Sequence, residues 1–401
     1  MLSTKTIETI KATVPVLEVY GTQITTVFYK NMFEAHPELL NIFNHANQRK
    51  GRQQAALANT VLAAAQNIDR LETIIPVVKQ IAHKHRSLLV KPEHYPIVGE
   101  FLLKAIKEVL GDAATDEIIN AWADAYGTIA QVFIDIEDQM YKESSTNGGW
   151  EGFKEFSIIN KVQESEEITS FYLAPKDGSI VPEYEAGQYI TVRLSMPGED
   201  YLFNRQYSLS IAPNKEYLRI SVKRERNVNT PEGKVSNYLH DYKMVGDVLE
   251  ITAPAGEFTL VKDNNPAIFI SGGVGITPFM SMIGKIKNED DTKKVIFVHS
   301  ARNGAVQAFN NELSTFKEML TNMELSYIYE TPSAEDKLNP YLSKIGYIDG
   351  DWIKNNAIVP EANYYVCGPV PFLQAVIKGL KDNGINATNI HYEFFGPSMN
   401  L

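Results

Sequence analysis

Apolar positions recur with a period near 3.6 through residues 4 to 20, 23 to 35, 52 to 67, 71 to 88, 94 to 110 and 115 to 142, which predicts a run of amphipathic helices. Gly21, His36-Pro37, Lys91-Pro92 and Gly111-Asp112 punctuate the pattern and are expected to end or restart helices. From Phe153 the period falls to two. Tyr189 to Leu194 and Leu218 to Lys223 alternate faces; with runs near residues 155 to 163, 168 to 174, 206 to 211 and 247 to 252, they predict an antiparallel six-stranded β-barrel. After Pro266, apolar strands at Ala267 to Gly273, Lys294 to Arg302, Leu325 to Glu330, Asn363 to Pro369 and Asn389 to Gly396 alternate with helical stretches. That alternation predicts a parallel α/β sheet. The expected organisation is multidomain: an all-α domain over 1–142, a Ser/Thr/Asn/Gly linker over 143–152, the barrel over 153–262 and the α/β domain over 263–401.

Composition sharpens this division. Residues 1 to 147 hold five of the 25 glycines and five of the 19 prolines, so the turn-forming residues concentrate in the strand-rich part. At 401 residues the chain is longer than one hydrophobic core normally supports. A net charge of -11 without a Lys/Arg block argues against a nucleic-acid partner. Cys367 is the single cysteine, so no intrachain disulfide can form, which fits a reducing compartment. The N-terminal segment carries charges within its apolar pattern, and no apolar run is long enough to cross a bilayer. A cytoplasmic chain acting as a monomer is expected.

Candidate chemistry begins in QIAHKHRSLLVKPEHY, Gln80 to Tyr95. Val78, Ile81, Ala82 and His85 fall at i, i+3, i+4 and i+7, so His85 shares the apolar face while His83 and Lys84 turn away. Such an imidazole is either a core histidine satisfied by a backbone carbonyl or a metal ligand. In SGGVGITPF, Gly272, Gly273 and Gly275 follow an apolar strand and precede Thr277 and Pro278 at a helix start. This is either a tight turn or a place where backbone and helix amides meet a diphosphate. Pro278 stands where the dinucleotide fingerprint ends in Gly or Ala, so a standard Rossmann site is not expected.

Six ordered segments, GQY at Gly187, RQYS at Arg205, GKVSNYLH at Gly233, APAGEF at Ala253, GGVGITP and CGP at Cys367, resemble the ferredoxin reductase-like flavoenzymes. The resemblance implies that Arg205 and the amides around Lys234, Val235 and Ser236 hold the diphosphate of FAD. Tyr189, Tyr207 and Ser208, with Gln206 in the same RQYS motif, would line the isoalloxazine. Cys367, Gly368 and Pro369 would sit beside the nicotinamide. The helical domain in turn resembles a globin through Tyr29 in VFYKNMF, Pro37 and Phe43 in HPELLNIF, Gln53, Leu57 and His85. Globin, flavin and nicotinamide modules together resemble the flavohaemoglobins from Met1 to Leu401, including the terminal HYEFFGP at His391 to Pro397 and the linker GGWEG.

That resemblance implies haem b iron held by His85, with Tyr95 and Glu137 bonded around its other ring nitrogen. Tyr29 and Gln53 would donate to bound dioxygen, and Phe43 and Leu57 would bound the pocket. Lys84 would face the flavin domain, Glu393 and Phe395 would lie over the flavin, and Phe394 replaces a residue that is small in some relatives. Read without the family, Glu137 belongs equally to a solvated acidic face, and Tyr29 and Phe43 to helix packing. The implied reaction is nitric oxide dioxygenation: NADH or NADPH reduces FAD, FAD reduces haem, and dioxygen at haem converts nitric oxide to nitrate. Rival readings are a general flavin reductase of ferric, quinone or peroxide substrates, and a haem-pocket binder of dioxygen or lipid. Arg302 could meet a 2′-phosphate or be a plain surface arginine.

Overall fold

Pro15 starts a helix cleanly because its missing amide hydrogen is unneeded in a first turn. The first helical break accordingly falls at Thr13, between α1 (Thr4–Ala12) and α2 (Val14–Ala35). Gly21, expected to interrupt a helix, lies inside α2: a Cβ there would sit 3.5 Å from the Cβ of Ala58, so the small residue serves close packing against the helix that carries Ala58. The computed structural model describes residues 2–226, 233–289 and 292–396; Pro397 of the terminal motif lies outside them. The remaining helices of this part are α3 (His45–Arg49), α4 (Arg52–Gln66), α5 (Ile75–Leu88), α6 (His94–Leu110) and α7 (Asp116–Thr146). The α7 helix continues through Glu143 to Thr146, into the segment expected to be linker. Ile24, Phe28, Met32, Leu102, Ala105, Ile106 and Trp122 form its main core. A smaller cluster, Val78, Ala82, Tyr95, Ala130 and Phe133, surrounds His85.

The chain divides into two compact units, one chiefly Met1–Phe153 with Thr191–Arg205, the other Lys154–Ile190 and Gln206–Phe395. Strands β1 (Lys154–Gln163), β2 (Ile168–Pro175), β3 (Tyr189–Leu194), β4 (Phe203–Ser208), β5 (Leu218–Lys223) and β6 (Val248–Ile251) form an antiparallel sheet of order β4-β3-β6-β1-β2-β5. An antiparallel bridge between Leu209 and Ile220 joins the two outer strands and closes the barrel. The fourth strand begins and ends three residues before the expected 206 to 211, because Leu209 and Ser210 leave it to pair with β5. Helix α8 (Lys234–Tyr242) precedes β6.

The remaining strands, β7 (Ala267–Gly272), β8 (Val295–Ala301), β9 (Met323–Tyr329), β10 (Leu342–Ile345), β11 (Asn363–Cys367) and β12 (Ile390–Glu393), make a parallel sheet of order β10-β9-β8-β7-β11-β12. The short β10, half of it exposed, carried no recognisable pattern. Phe269, Phe297 and Tyr327 face one layer, with α9 (Thr277–Glu289) and α10 (Asn310–Met319); Ile268, Ile270 and Val298 face the other, with α11 (Gly350–Asn356) and α12 (Val370–Asp382). Covering both faces explains why these strands read as continuous apolar runs, and each such buried side chain contributes roughly 1.5–3 kcal/mol.

Candidate functional site

Helix α5 ends one turn beyond His85. The Val90 amide donates to the His85 carbonyl at 3.0 Å, and Leu89 takes the left-handed conformation at φ 59° that closes such a turn. Glu137, only 3% exposed on α7, accepts at one oxygen from Tyr95 Oη at 2.6 Å and from His85 Nδ1 at 2.8 Å. The carboxylate fixes the proton on Nδ1 and leaves the Nε2 lone pair as the donor to a metal. Burial, then the neighbouring Glu137 charge, raises the Tyr95 hydroxyl above its usual range, so it remains a hydrogen-bond donor. The acidic-face alternative for Glu137 is thereby excluded. His83, placed outward by the helical wheel, is half-buried; burial, then the nearby cations Arg86 and Lys79, pushes it down to about 4.

Two supporting residues escaped the sequence reading. The Phe133 ring lies 5.6 Å from the His85 ring, and Tyr126 Oη donates to the Tyr95 carbonyl at 2.6 Å while its ring lies over Gly99. The helical spacings 95/99 and 133/137 were the available signal. A Cβ on Gly99 would come 2.5 Å from Tyr126 Cε1. Gly99→Ala is therefore expected to displace Tyr126, loosen Tyr95 and cost about 1–3 kcal/mol of stability, read by urea unfolding of the purified protein. An unchanged midpoint would mean the ring moves aside freely.

Tyr29, 6% exposed on α2, stacks on Phe33 with centroids 5.7 Å apart and meets Phe43 edge-on at 5.8 Å. Burial raises its hydroxyl well above the usual value, and a Gln53 side-chain hydrogen bond partly offsets the rise, so Tyr29 stays protonated. Gln53 Oε1 is buried without a hydrogen-bond partner, while Phe43 and Leu57 are half-buried apolar residues against the main helical core. A buried donor pair, an orphaned amide oxygen, apolar walls and one preorganised imidazole fit a haem. Among the described residues, no cluster of three or more His, Cys, Asp or Glu side chains could hold a bare metal ion. Lys84 Nζ donates to the Gly396 carbonyl at 2.8 Å, both within the first unit.

On β4, Arg205 and Tyr207 are half-exposed at i and i+2, Gln206 points to the opposite, exposed side, and Ser208 is buried. Helix α8 starts at Lys234 without a side-chain cap; Ser236 Oγ instead donates to the Gly233 carbonyl at 2.9 Å, and Val235 is buried. A helix start of this kind suits an anion, and a guanidinium such as that of Arg205 on β4 suits a phosphate. Gly187, at φ 104°, places its Cβ position 2.1 Å from the Phe258 carbonyl, and a Cβ on Gly256 would meet the Tyr189 ring at 2.9 Å. The GQY and APAGEF segments are therefore pressed together around Tyr189. These features fit FAD.

At the carboxyl end of β7, a Cβ on Gly275 would lie 2.3 Å from the Cys367 carbonyl oxygen, whereas Gly273 has φ 55° and open space above it. A Cβ on Gly368 would likewise lie 3.2 Å from the Gly272 backbone, while one on Gly272 would meet the Phe372 ring at 3.0 Å, so the GGVG and CGP turns are packed against each other. Thr277 Oγ1 donates to the Val274 carbonyl at 3.0 Å, and Pro278 is buried in the first turn of α9. Pro369 precedes α12 as its N-cap residue. Ser271 shares a 2.7 Å hydrogen bond with His299, whose imidazole burial pushes down to about 3. Cys367 is fully buried, and burial raises its thiol well above the usual value, so it is no nucleophile. Glu393 ends β12 opposite Cys367, and Phe395 is exposed. Phe394 is partly buried and packs against the core on the α11 and α12 side of the sheet. Arg302 is ion-paired with Glu167.

Three family profiles match the chain: Globin over residues 26–133, Oxidoreductase FAD-binding domain over 155–260 and Oxidoreductase NAD-binding domain over 269–378. The chain is 52% identical to the flavohemoprotein of Bacillus thuringiensis subsp. konkukian, with 100% of each covered. It is similar to the flavohemoglobin of Malassezia yamatoensis, solved with bound FAD and heme, at 29% identity and TM-score 0.87 over 98% of this chain and all of that one. The FAD/NAD-binding domain of nitric oxide dioxygenase from Vibrio cholerae matches at 34% identity and TM-score 0.56, over 61% of this chain and 99% of that one.

Proposed function

The chain belongs to the flavohemoproteins, NAD(P)H-dependent oxidoreductases with haem and FAD, and from that premise we propose that it is a nitric oxide dioxygenase. The overall conversion is two nitric oxide, two dioxygen and one NAD(P)H to two nitrate, one NAD(P)+ and one proton. Bound haem supplies the place where dioxygen is activated, and bound FAD turns a two-electron hydride donor into single electrons. The observation that carries this reading is the Glu137–His85–Tyr95 arrangement. An anionic hydrogen-bond acceptor behind the ligand makes the imidazole a stronger electron donor, which suits oxygen activation better than storage.

The polypeptide supplies placement. Tyr29 holds its proton at neutral pH and donates it, with Gln53, toward a ligand on the far side of the pocket. Phe33 and Phe43 keep the tyrosine ring in place, and Phe43 with Leu57 excludes water. The start of α8 would take a flavin phosphate, Arg205 would offer a guanidinium to one, and the GGVG and CGP turns would admit the nicotinamide end.

The test is nitric oxide consumption by the reduced-nicotinamide-driven enzyme with and without oxygen. Oxygen-dependent turnover with nitrate as product is expected. Equal turnover without oxygen, and no nitrate, would favour the general flavin reductase instead. Tyr29→Phe is expected to speed dioxygen release by about tenfold or more, from the loss of one hydrogen bond worth roughly 1.5–3 kcal/mol to a partly charged acceptor. Stopped-flow release unchanged by the substitution would remove Tyr29 from the mechanism.

A further inference from the structure

The parallel sheet reverses its order at β7: β8, β9 and β10 lie to one side, β11 and β12 to the other. In such sheets a dinucleotide lies outside the carboxyl ends of the strands at the reversal, and the adenosine ribose is read from just past the neighbouring strand. That neighbour is β8, and the first residue beyond it is Arg302. Its guanidinium donates to Glu167. Glu167 precedes β2 and is held from two sides irrespective of the ion pair. Its carbonyl accepts the Arg224 amide at 2.7 Å, and the adjacent Glu166 amide donates to the Ala305 carbonyl at 3.0 Å. Lys223 Nζ lies 3.7 Å from its other oxygen. Two more carboxylates stand on this edge. Glu330 follows β9 and its amide donates to the Ala301 carbonyl at 3.1 Å, while Asp336 crowds the Cβ position of Gly304 at 2.1 Å.

We propose that Glu167 is the residue that sets nicotinamide specificity, selecting NADH by holding Arg302 away from a 2′-phosphate. The inference rests on the nicotinamide reading of the crevice and deepens it. A 2′-phosphate is dianionic near neutral pH and needs a free guanidinium fork. Here the fork is already neutralised by a carboxylate fixed through its backbone, and a phosphate taking the fork would leave Glu167 beside it, where like charges repel. A 2′-hydroxyl suffers neither penalty and can donate to a carboxylate.

The experiment titrates ADP-ribose and 2′-phospho-ADP-ribose by calorimetry into the full chain loaded with haem and FAD, whose absorbance reports that each variant is folded. The unmodified protein is expected to bind ADP-ribose about tenfold more tightly. E167Q should shift that ratio about tenfold toward the phosphorylated ligand, by freeing a charge-assisted hydrogen bond, and the shift should weaken with added salt. E167Q/R302A should lose the gain in affinity for the phosphorylated ligand, and R302A alone should keep the preference for ADP-ribose or enlarge it, because the uncovered carboxylate repels a 2′-phosphate. A ratio unmoved by E167Q would overturn the proposal while leaving the crevice intact. So would a native preference for the phosphorylated ligand that R302A abolishes. Failure of either nucleotide to bind would overturn the nicotinamide reading itself, and this proposal with it.

Discussion

His85→Ala is expected to yield a chain that retains flavin and oxidises reduced nicotinamide with an artificial acceptor such as ferricyanide, yet shows no Soret band and consumes no nitric oxide. Among the described residues no other side chain stands where Glu137 and Tyr95 converge, so nothing replaces the lost imidazole. The substitution also removes one of two hydrogen bonds to a carboxylate that is 3% exposed, costing about 1.5–3 kcal/mol for a bond to a charged group. The helical unit should therefore unfold at lower urea even when compared without haem. Acceptor reduction should continue because the FAD- and NAD-binding segments, 155–260 and 269–378, lie outside the globin segment that carries His85. A normal Soret band in the variant would mean that another residue ligates iron and would withdraw His85 from the site. Loss of flavin reduction together with haem would mean that the units do not fold separately.

Gly275→Val should have the converse result: haem binding intact, reduction of the flavin by nicotinamide abolished. The obstacle is backbone, with the added Cβ 2.3 Å from the Cys367 oxygen and 2.7 Å from the Gly368 nitrogen, so no side-chain rotation relieves it. The two turns must separate, which costs about 1–3 kcal/mol or more and dismantles the crevice between them. Gly273 makes the control. Its Cβ position is open, so Gly273→Ala pays only for its left-handed φ of 55°, roughly 1–2 kcal/mol, and should fold with less damage. Rapid mixing with reduced nicotinamide, followed at the flavin absorbance, separates the two. A Gly275→Val enzyme reduced at the native rate would show that the turns need not touch.

The contrast between these glycines marks where sequence reading stops. Glycines after an apolar strand were legible as a special turn, but Gly275 is required by the carbonyl of Cys367, 92 residues away in the chain. Gly21 was misread for the same reason. Locally it looks like a helix breaker, and only the approach of Ala58 makes it a packing residue. The β4 strand likewise ends where Leu209 finds a partner on β5, not where its own alternation fades.

Periodicity alone determined the order of helical, barrel and α/β parts, because burial of one helix face, alternate strand positions or both sheet faces writes a different repeat into the chain. Motif order brought in the cofactors by resemblance. Only the tertiary structure decided the chemistry of single groups. Glu137 became the buried acceptor behind His85, with Asp135 and Asp138 left on the surface side of α7, and Phe394 packed partly buried against the core. Arg302 became half of an ion pair with Glu167. A repeat along one element says which face is buried; it carries no record of which distant group that face meets, and a group's charge state and bonding depend on that neighbour.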